Sequence, residues 1–347
     1  SFYTFQTLSY TLDIYFKKLK PHDSFLDYAL FVSFFPQLVA GPIVRAKDFL
    51  PQLSQQNRMD FNKFSLGIGL FIIGIFSKTV MADAFFAPLV NAVFVDGVQA
   101  DALSTWLAAV FFYAQIFCDF AGYSLCAIGT ALSLGFVLPF NFKSPLVATG
   151  FSDFWQRWHI SLSTWLRDYL YIPLGGNRNG NFNTYRNLLI TMLLGGLWHG
   201  AAWTFVLWGA LHGVYLIVER LLKSISFLSS FADNLWGKLL QMLITFFLVM
   251  LAFIVFRAEN MSQVQMILTG MFTAAEGQSL IQWDLWTQIV TVAFIGMLTL
   301  QLVYKNTKIT DILQSFSVAT RAVVLSMCLI LIFISAGDSD AFIYFQF

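Results

Sequence analysis

Charge is what this sequence has least of. Only 11% of its 347 residues are charged, against about 25% in a soluble domain. Between Arg186 and Glu219 there is no Asp, Glu, Lys or Arg in 32 consecutive positions. A charged residue at the centre of a membrane helix costs several kcal/mol of insertion, so a run this apolar belongs in a bilayer rather than in a cytosolic core. Cysteine is scarce as well. Cys118, Cys126 and Cys328 fall in apolar segments without CxxC spacing and read as small core hydrophobes. Four scattered histidines without HExxH spacing give no metal site. A net charge of +1 gives nothing for nucleic acid to bind. Strand-period alternation is missing over any useful length, which excludes a membrane β-barrel. The chain opens at Ser1 without Met, a basic n-region or a cleavage site, and so reads as the middle of a longer protein.

What is present is apolar and aromatic. Hydrophobic residues make up 58% of the chain, mean hydropathy is +0.69, and the 39 Phe, 10 Trp and 12 Tyr suit lipid-facing walls and interfacial belts. Charge-free stretches at 28–44, 64–77, 102–118, 120–142, 187–218, 239–256, 285–304 and 322–337 mark the embedded elements. Several are shorter than the roughly 17 residues a spanning helix needs, and Pro36, Gly41, Pro42, Gly122, Gly129, Gly135 and Pro139 interrupt others. Broken backbone survives at membrane depth only where protein or a water-filled cavity covers it. The expected fold is therefore an all-α integral membrane protein. It is a polytopic bundle of tilted, broken and re-entrant helices round a central cavity or tunnel, forming one domain over 1–347.

The 32-residue run is longer than the ~20 residues that cross a bilayer core. It must tilt, break or turn back, with Gly195-Gly196 and His199-Gly200 as the expected breaks. If it is a hairpin, its basic flanks (Arg178 and Arg186; Arg220, Lys223 and Lys238) share the cytoplasmic side. Two histidines lie inside it, in Gly196-Leu-Trp-His-Gly200 and Gly209-Ala-Leu-His-Gly213. An ionisable group kept in such a segment points to function. Gly196 and Gly200 remove bulk beside His199, so another helix or a substrate can approach it; bulk at Gly200 should then do more harm than bulk at Gly209. His212, 13 residues after His199, would face away from it on one straight helix and reads as structural.

Residues 153–176 carry the densest polar chemistry. Ser152 or Asp153 caps a helix, with Gln156 in capping-box register. Trp158, Leu162, Trp165 and Tyr169 then form an aromatic stripe. Arg157, Ser161, Thr164 and Asp168 form a polar stripe beside it, and Pro173 ends the helix. A simpler reading is an interfacial amphipathic helix, although such helices are usually richer in Lys and Arg. A Ser-His-Asp triad through Ser161 or Ser163 lacks the glycines of a nucleophile elbow.

Phe154-Trp155-Gln-Arg157-Trp158-His159, Trp165-Leu-Arg167-Asp168-Tyr169, Pro173-Leu-Gly-Gly176 and Trp198-His199-Gly200-Ala-Ala-Trp203 together resemble the membrane-bound O-acyltransferase superfamily. Within it they are most similar to the bacterial alginate O-acetylation protein I branch. Phe2-Tyr-Thr-Phe-Gln6, Phe35-Pro36 through Gly41-Pro42, Asp119-Phe-Ala-Gly122-Tyr123 and Phe342-Ile-Tyr-Phe-Gln-Phe347 extend the likeness over essentially the whole chain. A D-alanine exporter of teichoic acid biosynthesis shares the architecture, but residues 169–176 and 342–347 fit the alginate type better. Family members carry more helices before the first of these motifs, which implies that the chain begins inside the fold.

The resemblance implies that His199 is the superfamily's invariant histidine and His159 its second signature position. Many eukaryotic relatives have Asn at that second position. It implies acyl transfer in a bacterial inner membrane, with cytoplasmic acetyl-CoA as donor and no bound cofactor. The acceptor would be an extracytoplasmic polysaccharide or an acyl-accepting periplasmic protein. Acyl transfer to a hydroxyl needs a base and a donor for the developing oxyanion, and neutral imidazoles suit both roles. His199 and His159 are the expected catalytic pair; Trp158, Trp165, Asp168, Trp198 and Asp119 are substrate-binding candidates. Asp168 with Arg167 also reads as a packing or head-group pair. A proton-coupled transporter or export channel using intramembrane His would also fit broken helices, but no inverted repeat is visible. A pure scaffold would leave the His-Gly segments without purpose.

Overall fold

The computed structural model describes residues 2–38, 41–54, 60–95, 98–226, 234–273 and 277–335. The terminal 342–347 motif therefore lies outside the described residues. Those described form helices and, apart from an isolated bridge between Ala100 and Gln278, no strand pairing. In order the helices are α1 (Phe2–Tyr15), α2 (Phe25–Ser33), α3 (Ala46–Leu53), α4 (Phe61–Val93) and α5 (Ala102–Ser133). They continue with α6 (Phe151–Trp155), α7 (Ile160–Leu166), α8 (Gly180–His199), α9 (Trp203–Lys223) and α10 (Leu235–Arg257). The last four are α11 (Met261–Gly270), α12 (Leu285–Val303), α13 (Ile309–Ser315) and α14 (Val318–Ile334). Of these, α4, α5, α9, α10 and α12 are long and apolar enough to cross a membrane.

Small residues bring the helices together. On α4 and α5, Gly67 faces Gly129 and Gly74 faces Gly122, so that a Cβ on any of them would strike the other helix's backbone. Without a hydrophobic drive between helices in lipid, this close packing is what holds a span to its neighbour. From Phe76 to Phe86, α4 widens into i→i+5 winding, usually confined to single turns. Five residues on an ordinary helix turn through about 140° beyond a full circle, which would part Lys78 from Asp83. The wider winding stacks them, and Lys78 Nζ reaches Asp83 at 2.6 Å and Asp119 of α5 at 2.8 Å.

The apolar run resolves as a hairpin. α8 and α9 lie side by side, joined by an extended turn at Gly200. The break at His199-Gly200 is present, whereas Gly195-Gly196 sits inside α8 and serves packing. The charged groups are unevenly shared between the two ends of the bundle. At one end Arg157 donates to the carbonyls of Lys143 (3.1 Å) and Lys305 (2.8 Å), and Arg157 and Lys305 lie 2.7 and 3.9 Å from Asp153. Glu219 joins them by accepting from Ser152 N, and pairs with Lys223. Toward the other end, Asp101 and Asp284 cap the starts of α5 and α12, and Arg257 ends α10 with Glu259 just after it.

Candidate active site

The segment expected to be one helix is two. α6 ends at Trp155, and the chain passes through His159 in the left-handed region (φ 42°, ψ 53°) before α7 begins. A non-glycine residue with positive φ is uncommon, and Asn, Asp and His are among the side chains that tolerate it best. The cap also differs from expectation: Gly150 starts α6, while Asp153 accepts from Thr149 N at 2.9 Å.

This break splits both sequence stripes. Leu162, Trp165 and Tyr169 stay in one cluster, but Trp158 turns into another core against Phe142 and Phe253, with 5.1 Å between centroids in each case. Arg157 joins the charged end, while Ser161 donates to Asn141 Oδ1 at 2.6 Å. Asn141 fixes α7 a second time through its carbonyl, which accepts from Ile160 N.

His159 is 1% exposed, edge-on to Phe120 at 4.6 Å. It also meets Trp198, at 6.3 Å, and Trp198 in turn meets the His199 ring at 4.9 Å. Two histidines 40 residues apart thus flank one indole. His199, at the C-terminus of α8, is half-buried and also contacts Trp208, Phe205 and Phe256. Phe5 of α1 stacks on both Trp198 (5.1 Å) and Trp165 (4.0 Å), and its carbonyl accepts from Trp165 Nε1. The arrangement offers one imidazole near the surface to carry a proton and one deep imidazole to donate or accept a hydrogen bond.

The remaining candidates lie elsewhere. Asp168 pairs with Arg45 at 2.6 Å and Arg167 at 2.7 Å, on the wall of a polar cavity of about 270 Å³ that also includes Asp13, Lys18 and Tyr169. Burial raises its carboxyl pKa, but the bonds and charge of Arg167 and Arg45 outweigh that and hold it below the usual carboxylate range. Asp119 is engaged with Lys78 between α4 and α5. A larger cavity of about 900 Å³ touches Asn141 and Ile160, the neighbours of His159, but neither His159 nor His199 lines it.

His212 was placed on the wrong side by straight-helix geometry. Because the chain doubles back at Gly200, Trp208 packs against both histidines, 5.2 Å from the His199 ring and 4.7 Å from that of His212. His212 is wholly buried among Phe154, Trp155 and Tyr215, and neither ring nitrogen has a hydrogen-bond partner. The Gly200 break was the signal that could have placed it. The glycines also exchange roles. A Cβ on Gly209 would strike the Met192 carbonyl, and one on Gly196 the Phe205 carbonyl, whereas the nearest atoms to one on Gly200 belong to the Phe205 ring.

The sequence model of the MBOAT, membrane-bound O-acyltransferase, family matches residues 16–262. A probable alginate O-acetylase of Pseudomonas putida is 38% identical over the whole chain and 74% of its own length. One from Azotobacter vinelandii is 43% identical over 79% of the chain and 53% of its own length. A peptidoglycan O-acetyltransferase of Helicobacter pylori is 41% identical over 78% of the chain and 56% of its own length. The chain thus spans between about half and three quarters of the length of these relatives.

Proposed function

The chain belongs to the membrane-bound O-acyltransferase family, and on that premise we propose that it moves an acetyl group to, or toward, hydroxyls of an extracytoplasmic polysaccharide. The donor in this reading is a cytoplasmic thioester, acetyl-CoA. The receiver is the polymer itself or a periplasmic protein that passes the group on. Relatives named for alginate and peptidoglycan O-acetylation support a polysaccharide acceptor. The observation that carries the proposal is the meeting of His159 and His199 around Trp198.

His199 takes the proton from the acceptor hydroxyl as its oxygen attacks the thioester carbonyl. The C–O bond forms, the C–S bond breaks, and the proton passes from His199 to the departing thiolate. His159 donates an N–H to the carbonyl oxygen as charge develops there, which is where a preorganised donor has most effect. Trp198 and Trp165 hold the reacting groups between the imidazoles; Trp158, Asp168 and Asp119 hold the helices that carry them. In this reading the end of the bundle that contains Lys143, Arg157, Lys223 and Lys305 faces the cytoplasm of a bacterial inner membrane, an orientation that their positive charge supports.

The test is polymer acetylation in cells carrying the full protein with His199→Ala, at matched protein levels. General-base removal should lower it by about 10²–10⁴-fold. Acetylation near the wild-type level would refute the base assignment.

A further inference from the structure

A second cavity, of about 900 Å³, is near the top of the 300–1,000 Å³ range of ligand sites. Nothing in the acetyl-transfer reading needs so much apolar space. Its walls come from α4, α5, the 137–144 loop, the start of α7, α12, α13 and α14, with Phe117, Leu138, Met297 and Val324 among the apolar surfaces. One polar group in the lining is conspicuous. Gln301 is 8% exposed and its Oε1 accepts from Leu146 N at 3.1 Å, yet its Nε2 has no hydrogen-bond partner. A buried donor left unmade is costly and calls for an acceptor. The same lining contains Lys143 and Lys308, whose side chains are exposed and face no carboxylate within ion-pair distance among the described residues. Lys143 belongs to the charged end of the bundle, where its carbonyl accepts from Arg157.

We propose that this cavity is a binding site for one anionic glycerophospholipid. An acyl chain fills the apolar chamber, an ester carbonyl accepts from Gln301 Nε2, and the phosphate sits between Lys143 and Lys308. Each part of the molecule meets the surface that its chemistry requires: an apolar wall, an unpaired amide donor and two exposed cations on the same lining. The lipid then braces the loop containing Asn141, whose side chain and carbonyl hold Ser161 and Ile160 at the start of α7. The site is separate from the imidazole pair and does not depend on the acceptor proposed above.

Native mass spectrometry of the full protein, delipidated and titrated with phosphatidylglycerol, tests this directly. Wild type should hold one lipid tightly. Gln301→Leu should raise the Kd about tenfold or more, and diacylglycerol with the same chains should bind wild type about tenfold more weakly. Ala121→Phe, which places a ring in the chamber, should abolish the adduct. Should Gln301→Leu fail to fold, the double variant Lys143→Gln/Lys308→Gln changes only exposed side chains and should lose the preference for phosphatidylglycerol over diacylglycerol. Equal affinity of wild type and the double variant, or equal binding of the two lipids, overturns the proposal. So does co-purification of a lipid-linked sugar phosphate in place of a phospholipid.

Discussion

Two Gly-x-x-His-Gly segments lie 13 residues apart in one charge-free run, and the fold uses them differently. In the first, the helix ends at the histidine, so His199 is half-buried beside the chain reversal and next to Trp198. In the second, the helix runs on for more than two turns, and His212 is sealed among aromatic rings. The glycines divide the other way. Gly209 lies against the Met192 carbonyl, while Gly200 lies nearest the Phe205 ring. A local pattern therefore gives the residue types available at a site, and the position of the chain break decides which are left half-buried at a reversal and which are sealed in packing.

The comparison is sharpest at the glycines. Gly209→Leu would force α8 and α9 apart at a backbone contact, so loss of assembled protein is expected, with a cost of more than about 4 kcal/mol. Gly200→Leu meets a side-chain ring rather than backbone and should cost about 1–3 kcal/mol, in the range of ordinary overpacking. Monodisperse yield and thermal unfolding in detergent measure both. The reverse order would mean that the hairpin contact is misjudged.

A smaller effect, confined to activity, is expected at His159. His159→Ala should lower acetyl transfer about 100-fold, as for removal of an oxyanion donor. His159→Asn should recover much of that, because Asn tolerates the left-handed backbone and keeps a donor and an acceptor. Equal loss in the two variants would assign His159 a proton-transfer role instead.

The smallest effect is expected at His212. Exchange for Phe removes two ring nitrogens that have no partner and keeps a flat ring among Phe154, Trp155 and Trp208. Thermal stability should change by less than about 1.5 kcal/mol, and acetylation by less than about tenfold. A loss as large as that of His199→Ala would bring His212 into the reaction and end the contrast between the two segments.

Much of this was legible before any coordinates. The absence of charge announced a membrane protein, the length of the run required a reversal, and the aromatic and histidine motifs pointed to the family. Three features were not. The break at His159 was hidden because the sequence there continues a helical period, and only a left-handed dihedral interrupts it. The place of His212 depended on which candidate break was real. Lys78 and Asp83 lie five apart, a spacing that ordinary helical periodicity assigns to different faces. The wider winding that unites them leaves no mark in the apolar pattern.

That winding bears on how the protein enters a membrane at all. A lone lysine at the middle of a span costs about 2.5–3.5 kcal/mol during translocon-mediated insertion. Because Phe76–Phe86 is wound widely, α4 carries its own counter-ion for Lys78 and can reach the lipid with that charge already matched, before Asp119 on the next span has left the ribosome. The contribution is measurable on the Phe61–Val93 segment alone. Asp83→Asn should make its insertion less efficient, although the change removes a charge. An increase would mean that the pairing forms only after α5 arrives.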